Sequence, residues 1–529
     1  MDMRVKPLDA ILATAQRKSL SRSLGAVQLT LLGLGAIIGT GIFVLTAAAA
    51  QKAGPGMMWS FVIAGSVCAV AALCYSELAA MLPVSGSAYT YTYAVCGELL
   101  AWMVGWALIL EYAVAASAVS VGWSGYFMGL LKSWTGLSLP HALSAGPAWT
   151  LDGWMPHADF AAGVINVPAI AVALAVTWLL VIGTTESARV NAALVAVKVA
   201  ALTMFVIVTV PGIKAEHFAP FTPNGWFGPQ GTTGMGVFGA AASIFFAYVG
   251  FDAVSTAAEE TRNPQRNVPI ALIGTLAICT VFYLLVAAGA IGATGAQPVT
   301  GDGGMPVQPG SAEFTAQCSA LAAAGQQPLV CSNEALAHVL RAINHSVLGD
   351  IMGFAANLAL PSVILMMLYG QTRIFFVMAR DGLLPDSLAE VHPKWKTPHR
   401  MTIITGIFVA AAAALLPVGQ LVDVSNAGTL FAFLLVAVSV MVLRVRDPHR
   451  HRPFRTPGVW VVAPLAIGGC IFLYCSLPWV NRLVLPLWGA IGLVIYFAYG
   501  HRRSHIARGM VEVHELDRDA PSTPVKPIG

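Results

Sequence analysis

Apolar segments long enough to cross a bilayer recur about a dozen times along this 529-residue chain. A spanning helix needs about 20 predominantly apolar residues. By that measure spans are expected at 24–50, 57–81, 98–130, 162–183, 188–211, 234–256, 269–293, 346–378, 401–417, 426–444, 459–478 and 484–500. In hydrocarbon every backbone N–H and C=O must find a partner within the protein, and segments of this length achieve that as helices. The expectation is therefore an all-α integral membrane protein. The chain is 57% hydrophobic and only 10% charged, against about 25% charged in soluble domains. An ordinary soluble protein is excluded. The third and eighth spans are long enough to tilt or to extend beyond the membrane.

The basic N-terminus, the apolar run and Ala47-Ala48-Ala49 together imitate a signal peptide. A signal h-region, however, has about 7–15 residues, well short of the run that starts at Leu24. The run reads as a retained span. Orientation follows from Lys and Arg. With a cytoplasmic N-terminus, 23 of the 29 basic side chains fall in inner segments and five, Lys52 among them, in outer ones; Lys198 lies within a span. This satisfies the positive-inside rule and places both ends in the cytoplasm of a cell with this chain in its inner membrane. The net charge of +4 then reflects basic inner loops and calls for no nucleic acid.

Two outer stretches are longer than the rest. The stretch 131–161 is rich in Trp, Pro, Gly and His and suits the membrane interface. The loop 294–345 holds Cys318 and Cys331. On an oxidising side of the membrane these two are a candidate disulfide, the alternative being two free thiols. Cys68, Cys74, Cys96, Cys279, Cys470 and Cys475 lie in or beside spans, without metal-ligand spacing, and read as small packing residues. The expected organisation is an inner N-terminal segment 1–23, a transmembrane unit 24–502 and a polar inner tail 503–529.

Two spans carry interruptions. The first contains Gly33-Leu34-Gly35-Ala36-Ile37-Ile38-Gly39-Thr40-Gly41-Ile42-Phe43. Glycine in a helix interior costs roughly 0.5–1 kcal/mol relative to alanine, so clustered Gly39 and Gly41 make it easy for the helix to open. An opened helix at mid-membrane is tolerated only where it is buried in protein or lines a cavity. The N–H groups that start its second half then suit an anion such as a carboxylate. The competing reading is a close-packing face, since Gly35 and Gly39 form a G-x-x-x-G. The sixth span contains Phe246-Ala247-Tyr248-Val249-Gly250-Phe251-Asp252. Corresponding interruptions five spans apart are the sequence pointer to an inverted-repeat transporter with its site at the midplane.

Gly39-Thr40-Gly41-Ile42-Phe43, the run Phe246 to Ser255, and Glu259-Glu260-Thr261-Arg262-Asn263-Pro264-Gln265-Arg266 resemble the cationic amino acid transporter family of the amino acid–polyamine–organocation superfamily. Gly370-Gln371-Thr372-Arg373 and Ala379-Arg380-Asp381-Gly382-Leu383-Leu384-Pro385 fit it too. The resemblance covers about 24–500. It implies a LeuT-type fold, with broken helices 1 and 6, repeats at about 24–211 and 234–444, and two extra helices at about 459–500. It further implies that backbone groups of Ile38, Gly39, Thr40 and Gly41 bind the substrate α-carboxylate. Carbonyls of Ile37, Phe246, Ala247 and Val249 would take the α-ammonium, and Tyr248 and Phe251 would be gate or pocket aromatics.

Lys198 sits in an otherwise apolar span, some ten residues from either end. A mid-membrane lysine costs at least about 2.5–3.5 kcal/mol, so it should face the protein interior. In the resembling family a lysine on the fifth span takes the place of a sodium ion, which makes Lys198 a candidate for proton coupling. Glu111 in the third span is a second intramembrane ion, readable as a proton site, a pocket residue or a structural group. Asp252 is a third, with the option of favouring cationic substrates. His217, His338 and His345 read as surface groups, and Glu259, Glu260, Arg262 and Arg266 as a mixed-charge inner loop.

A retinal-type photoreceptor would also need a mid-membrane lysine, but it leaves two glycine breaks unexplained. An integral membrane enzyme would need a nucleophile, metal or phosphate-binding motif, and H-E-x-x-H, G-x-S-x-G and the phosphate loop are all absent from the sequence. The expected function is secondary active transport of L-amino acids across the bilayer. The expected coupling is to protons, without sodium, cofactor or metal. A cationic amino acid or polyamine carrier on the same fold is the alternative.

Overall fold

The computed structural model describes residue 5 and residues 24–82, 87–152, 155–160, 163–183, 188–230, 232–256, 261–301, 304–388, 390, 392, 394–395 and 397–508. Glu259, Glu260, most of the 1–23 segment and the tail 509–529 lie outside these. Among the described residues, eight helical stretches are long and apolar enough to cross a membrane, and four shorter apolar helices accompany them. The first span is split into α1 (Ala26–Ile37) and α2 (Thr40–Ala53). Then come α3 (Met57–Met81), the short α4 (Ser87–Val95), α5 (Glu98–Thr135), α6 (Val167–Val181) and α7 (Ala188–Thr209). The sixth span is also split, into α8 (Gly236–Ile244) and a four-residue α9 (Ala253–Thr256). After it follow α10 (Pro264–Thr294), α11 (Ala312–Ala323), α12 (Ala335–Ala342), α13 (Ser346–Arg380), α14 (His399–Leu415), α15 (Val418–Arg446), α16 (Val459–Ser476) and α17 (Trp479–Ile495).

The spans match the sequence expectation in number and order, and differ in detail for local reasons. The seventh begins at Pro264 rather than 269, because Pro264 needs no N–H partner at a helix start. The tenth begins at Val418 rather than 426. Its first two turns contain Asp423, whose charge hid them from a hydropathy reading. The stretch 131–161 holds the end of α5 and a hairpin of β1 (Ala148–Asp152) and β2 (Met155–Asp159), paired Trp149 to Ala158. The 294–345 loop is built around α11 and α12, with Cys318 and Cys331 joined in a disulfide.

Helix α5 runs through the middle, packed along α13 and α15 and touching α6 and α14. Helix α10 packs on α1, α3 and α7, and α8 packs on α2 and α3. The split spans thus lie inside the bundle. Helices α14, α16 and α17 each leave large apolar side chains bare, among them Ile407 at 58%, Leu465 at 59% and Leu487 at 65% exposure. In water that surface would be an aggregation hazard; in a bilayer it faces acyl chains. Helix α17 is fastened to α5 by Trp106 and Trp488, stacked at 4.6 Å, each indole N–H donating to the other residue's carbonyl at 2.8 and 2.7 Å. Both polar handles are thereby satisfied away from water.

One end of the bundle carries the 294–345 loop. At the opposite end a buried Glu77 closes α3 onto α15. It accepts two bonds from Arg444 at 2.8 Å, one from the Thr456 N–H at 2.8 Å, and pairs with Arg452 at 3.1 Å. A carboxylate with this many donors is a fixed structural anchor.

Candidate functional site

The first break occupies two residues. Helix α1 finishes with the Ile38 N–H on the Leu34 carbonyl at 2.8 Å, and Ile38 itself is extended. Helix α2 restarts with the Phe43 N–H on the Gly39 carbonyl at 3.2 Å. The N–H groups of Thr40, Gly41 and Ile42 therefore precede the ladder of α2, as the first donors of any helix do. In the sixth span α8 tightens into a 3-10 turn at Phe245–Tyr248, after which Val249 is extended. Gly250 has φ +109, a conformation that a side chain would oppose.

The two breaks touch. A Cβ on Gly41 would lie 2.1 Å from the Ala247 Cα, so only glycine permits this approach of one backbone to the other. A Cβ on Gly250 would lie 3.1 Å from the Ala36 carbonyl oxygen, and one on Gly39 would lie 2.7 Å from a methyl of Val363 on α13. At Gly41 and Gly250 the close approach is between the two broken spans themselves, and at Gly39 it is to α13. Ile37, Ile38, Phe246, Ala247, Tyr248, Val249 and Phe251 are each at most 4% exposed, and Gly39 and Gly41 are buried with them.

Two of the carbonyls picked out in the sequence converge. The Tyr283 hydroxyl, on α10, lies 3.1 Å from the Ile37 oxygen and 2.9 Å from the Ala247 oxygen and donates between them. The two oxygens therefore lie close enough together to share a single donor. The Phe246 carbonyl accepts the Val249 N–H at 3.1 Å. The Tyr248 hydroxyl donates to the Phe61 carbonyl at 3.1 Å, and its ring lies against Tyr283. Phe251 packs on Phe433 at 4.9 Å and on Tyr75 at 5.9 Å, forming an aromatic group beside the second break.

The three intramembrane ions are all interior. Lys198 on α7 is 1% exposed, and its ammonium donates to the Gly35 carbonyl at 2.8 Å, within the last turn of α1. It does not snorkel. Asp252 is 2% exposed and accepts the Tyr112 hydroxyl at 3.0 Å. Glu111, one residue before Tyr112, is fully buried. Asp252 at the second break is thus tied to α5, the helix that also carries Glu111, while Lys198 stands at the first break.

Sequence reasoning missed four side chains here. Tyr283 gave no signal in an apolar span. Asn426 on α15 donates to the Ala242 and Ser243 carbonyls at 2.7 and 3.1 Å, satisfying the last turn of α8 where its ladder stops. Lys52 was expected in an outer loop but is 3% exposed inside the bundle, where it meets Asp423 and Ser243. Its position at the end of α2 hid this, because a basic residue beside a span is ordinarily wet. Asp423, placed outside the tenth span, is its partner.

The family model described as amino acid permease matches residues 24–498. The branched-chain amino acid permease BcaP of Bacillus subtilis is 44% identical over 498 residues, which cover 94% of this chain and 97% of that protein. The methylthioribose transporter of the same organism is 39% identical over 504 residues, covering 95% and 98%. Human cationic amino acid transporter 4 is 32% identical over 465 residues, covering 87% and 65%. The match runs through both breaks and on to the last span, and the chain belongs to the amino acid permease family, within the amino acid–polyamine–organocation superfamily.

Proposed function

We propose that this permease moves L-amino acids with apolar, branched side chains across the cell membrane by alternating access, coupled to protons and independent of sodium. The observation that carries the reading is the contact of the two breaks at Gly41 and Ala247, with the Ile37 and Ala247 carbonyls sharing one donor. The N–H groups at the start of α2, which precede its hydrogen-bond ladder, suit a carboxylate, and the Ile37 and Ala247 carbonyls suit an ammonium, so one zwitterion would satisfy both. Two relatives named as branched-chain amino acid permeases, at 44% and 31% identity, support an apolar side chain. So do Val363 against the first break and the Phe251–Phe433–Tyr75 group at the second.

Lys198 takes the coupling role in this reading. Its ammonium ties α7 to α1 next to the break, and loss of its proton would release that tie. Glu111 and Asp252, both buried in the bundle interior, are taken as the second proton site. The 294–345 loop is taken to lie outside and both termini in the cytoplasm of the cell's inner membrane, by the distribution of basic residues. The protein uses no organic cofactor or metal and performs no bond chemistry. A cationic substrate is the second reading, supported by the relatives named for it and by the buried carboxyls at the second break.

The test is uptake by purified protein in liposomes. Leucine, isoleucine, valine, alanine, arginine, lysine, spermidine and methylthioribose are compared with and without an inward proton gradient and sodium. Leucine, isoleucine and valine uptake that rises with the gradient and ignores sodium supports the proposal. Uptake confined to arginine and lysine moves the protein to the cationic reading. Uptake of methylthioribose or spermidine alone removes the zwitterion from the site.

A further inference from the structure

The connection between α15 and α16 concentrates positive charge at the membrane boundary. Its twelve residues from Arg444 to Arg455 hold five arginines and two histidines against one acid, Asp447. Two of the arginines fix the loop in place. Arg444 and Arg452 converge on Glu77 of α3, and Arg452 also donates to the Leu443, Asp447, Pro448 and Arg450 carbonyls at 2.7–3.2 Å. Thr456 closes the loop, with its N–H on Glu77 at 2.8 Å and its hydroxyl on the Leu73 carbonyl at 3.0 Å. The start, middle and end of the loop are thus pinned to α3 or to the loop's own backbone. Other cations are left on the outside of this frame. Arg455, His449 and His451 are exposed, and none of the three side chains has a hydrogen-bond or ion-pair partner among the described residues. Helix α16 starts four residues after Arg455. Trp460 in its first turn is 58% exposed, and Val461, at 63%, and Leu465 follow on one bare apolar face.

We propose that this loop is a binding site for an anionic phospholipid, its phosphate held by Arg455 with His449 and His451 as further donors, and its chains laid along Trp460, Val461 and Leu465. The three parts follow one another along the chain in the order in which a lipid presents its phosphate, its glycerol region and its acyl chains. Guanidinium–phosphate pairs are charge-assisted and frequently bidentate. An indole is favoured at the level of the headgroups, and a bare apolar helix face suits acyl chains. Charge decides between lipid classes. A zwitterionic headgroup brings its own ammonium against the loop's cations, whereas an anionic one brings only the phosphate. Basic clusters directly beside a spanning helix attract anionic lipid for this reason. Because Glu77 already fixes the loop, little backbone order is lost on binding. The inference rests on the chain's place in a bilayer and not on which substrate it carries.

The test reads which lipid sits beside Trp460. The full chain is reconstituted in phosphatidylcholine bilayers with a minor fraction of lipid whose brominated chains quench nearby indoles. That lipid is phosphatidylglycerol in one series and phosphatidylcholine in the other. The difference between the parent and Trp460→Phe isolates this ring from the other tryptophans. Brominated phosphatidylglycerol is expected to quench Trp460 more strongly than brominated phosphatidylcholine at the same fraction. Arg455→Gln, at an exposed position, is expected to lower that preference about fivefold, the effect of one basic group at an anionic lipid surface. Arg455→Lys restores most of it, and added salt weakens it. Arg266→Gln removes an exposed arginine from the start of α10 at the same end of the bundle and leaves the preference unchanged. Equal quenching by the two lipids in the parent, or a preference that Arg455→Gln leaves intact, overturns the site. A preference lost equally in Arg266→Gln also overturns it, since that is the response of a diffuse surface charge. So does a preference that arises only when residues 509–529 are removed. The occupant is then the chain's own tail, which carries Glu512, Glu515, Asp517 and Asp519.

Discussion

The Lys198 ammonium donates to the Gly35 carbonyl at 2.8 Å, joining the fifth span to the last turn before the first break. Removing the amine leaves a buried carbonyl short of a donor, at a cost of about 1–3 kcal/mol. It also removes the one cation found at that break among the described residues. Lys198→Met is therefore expected to cut proton-driven leucine uptake at least tenfold, while leucine–leucine exchange across the same liposomes survives. Parallel uptake and exchange assays at two pH values check this. A variant that keeps both its rate and its pH dependence would show that Lys198 only fills space.

The Tyr283 hydroxyl is the donor that the Ile37 and Ala247 carbonyls share. Tyr283→Phe keeps the ring, which packs on Phe61 and Tyr248, and deletes only the donor. Net hydrogen-bond contributions of about 0.5–1.5 kcal/mol each translate to a loss of leucine affinity of roughly tenfold. Isothermal titration of the purified protein measures it. Tighter binding instead would mean that the hydroxyl competes with the ammonium for those oxygens.

The sequence made both breaks legible because interrupted spans in corresponding positions, five spans apart, point to an inverted repeat. Lys198, Glu111 and Asp252 were legible for the opposite reason, since a charge in a long apolar run has nowhere to hide. Tyr283 and Asn426 were not: each is an ordinary side chain whose role comes from where α10 and α15 pack. Lys52 and Asp423 were misread because charge at the edge of an apolar run signals water in a one-dimensional reading. Only the third dimension places the two edges together. The hairpin at 148–159 and the helices of the 294–345 loop were likewise lost among polar residues with no long periodic run.

Glycine at 41 is demanded by space alone. A methyl there would sit 2.1 Å from the Ala247 Cα, and backbone on both sides leaves no soft atom to yield. Gly41→Ala is expected to abolish leucine binding and uptake, because the breaks must separate to accept it. Gly468 on α16 has open space about it, and alanine is the better helix former by about 0.8–1.0 kcal/mol. Gly468→Ala should therefore keep full uptake and raise the unfolding temperature slightly. Uptake and thermal unfolding of the two variants side by side form the check. A fully active Gly41→Ala would mean that the breaks lie further apart in the working protein.

Helix α12, which packs on the outer half of α2, supplies a pH dependence whose sign can be worked out. His338 bonds the Gln327 carbonyl through Nε2 at 2.8 Å, and burial lowers its pKa from the ordinary 6.5, with Arg341 adding to the effect. The folded loop thus binds fewer protons than the unfolded one below pH 6.5, so stability is complete above that value and falls as pH drops towards the folded pKa. Glu334 opposes this at lower pH. Burial raises its carboxyl above 4.5 despite Arg341, so the fold takes up a proton there and gains stability as pH falls. His338→Gln keeps a donor for Gln327 and removes the histidine contribution. Hydrogen exchange of residues 335–342, corrected for intrinsic rates, is expected to quicken below pH 6.5 in the parent and to change less in the variant. Equal pH profiles for the two would place the proton uptake elsewhere in the loop.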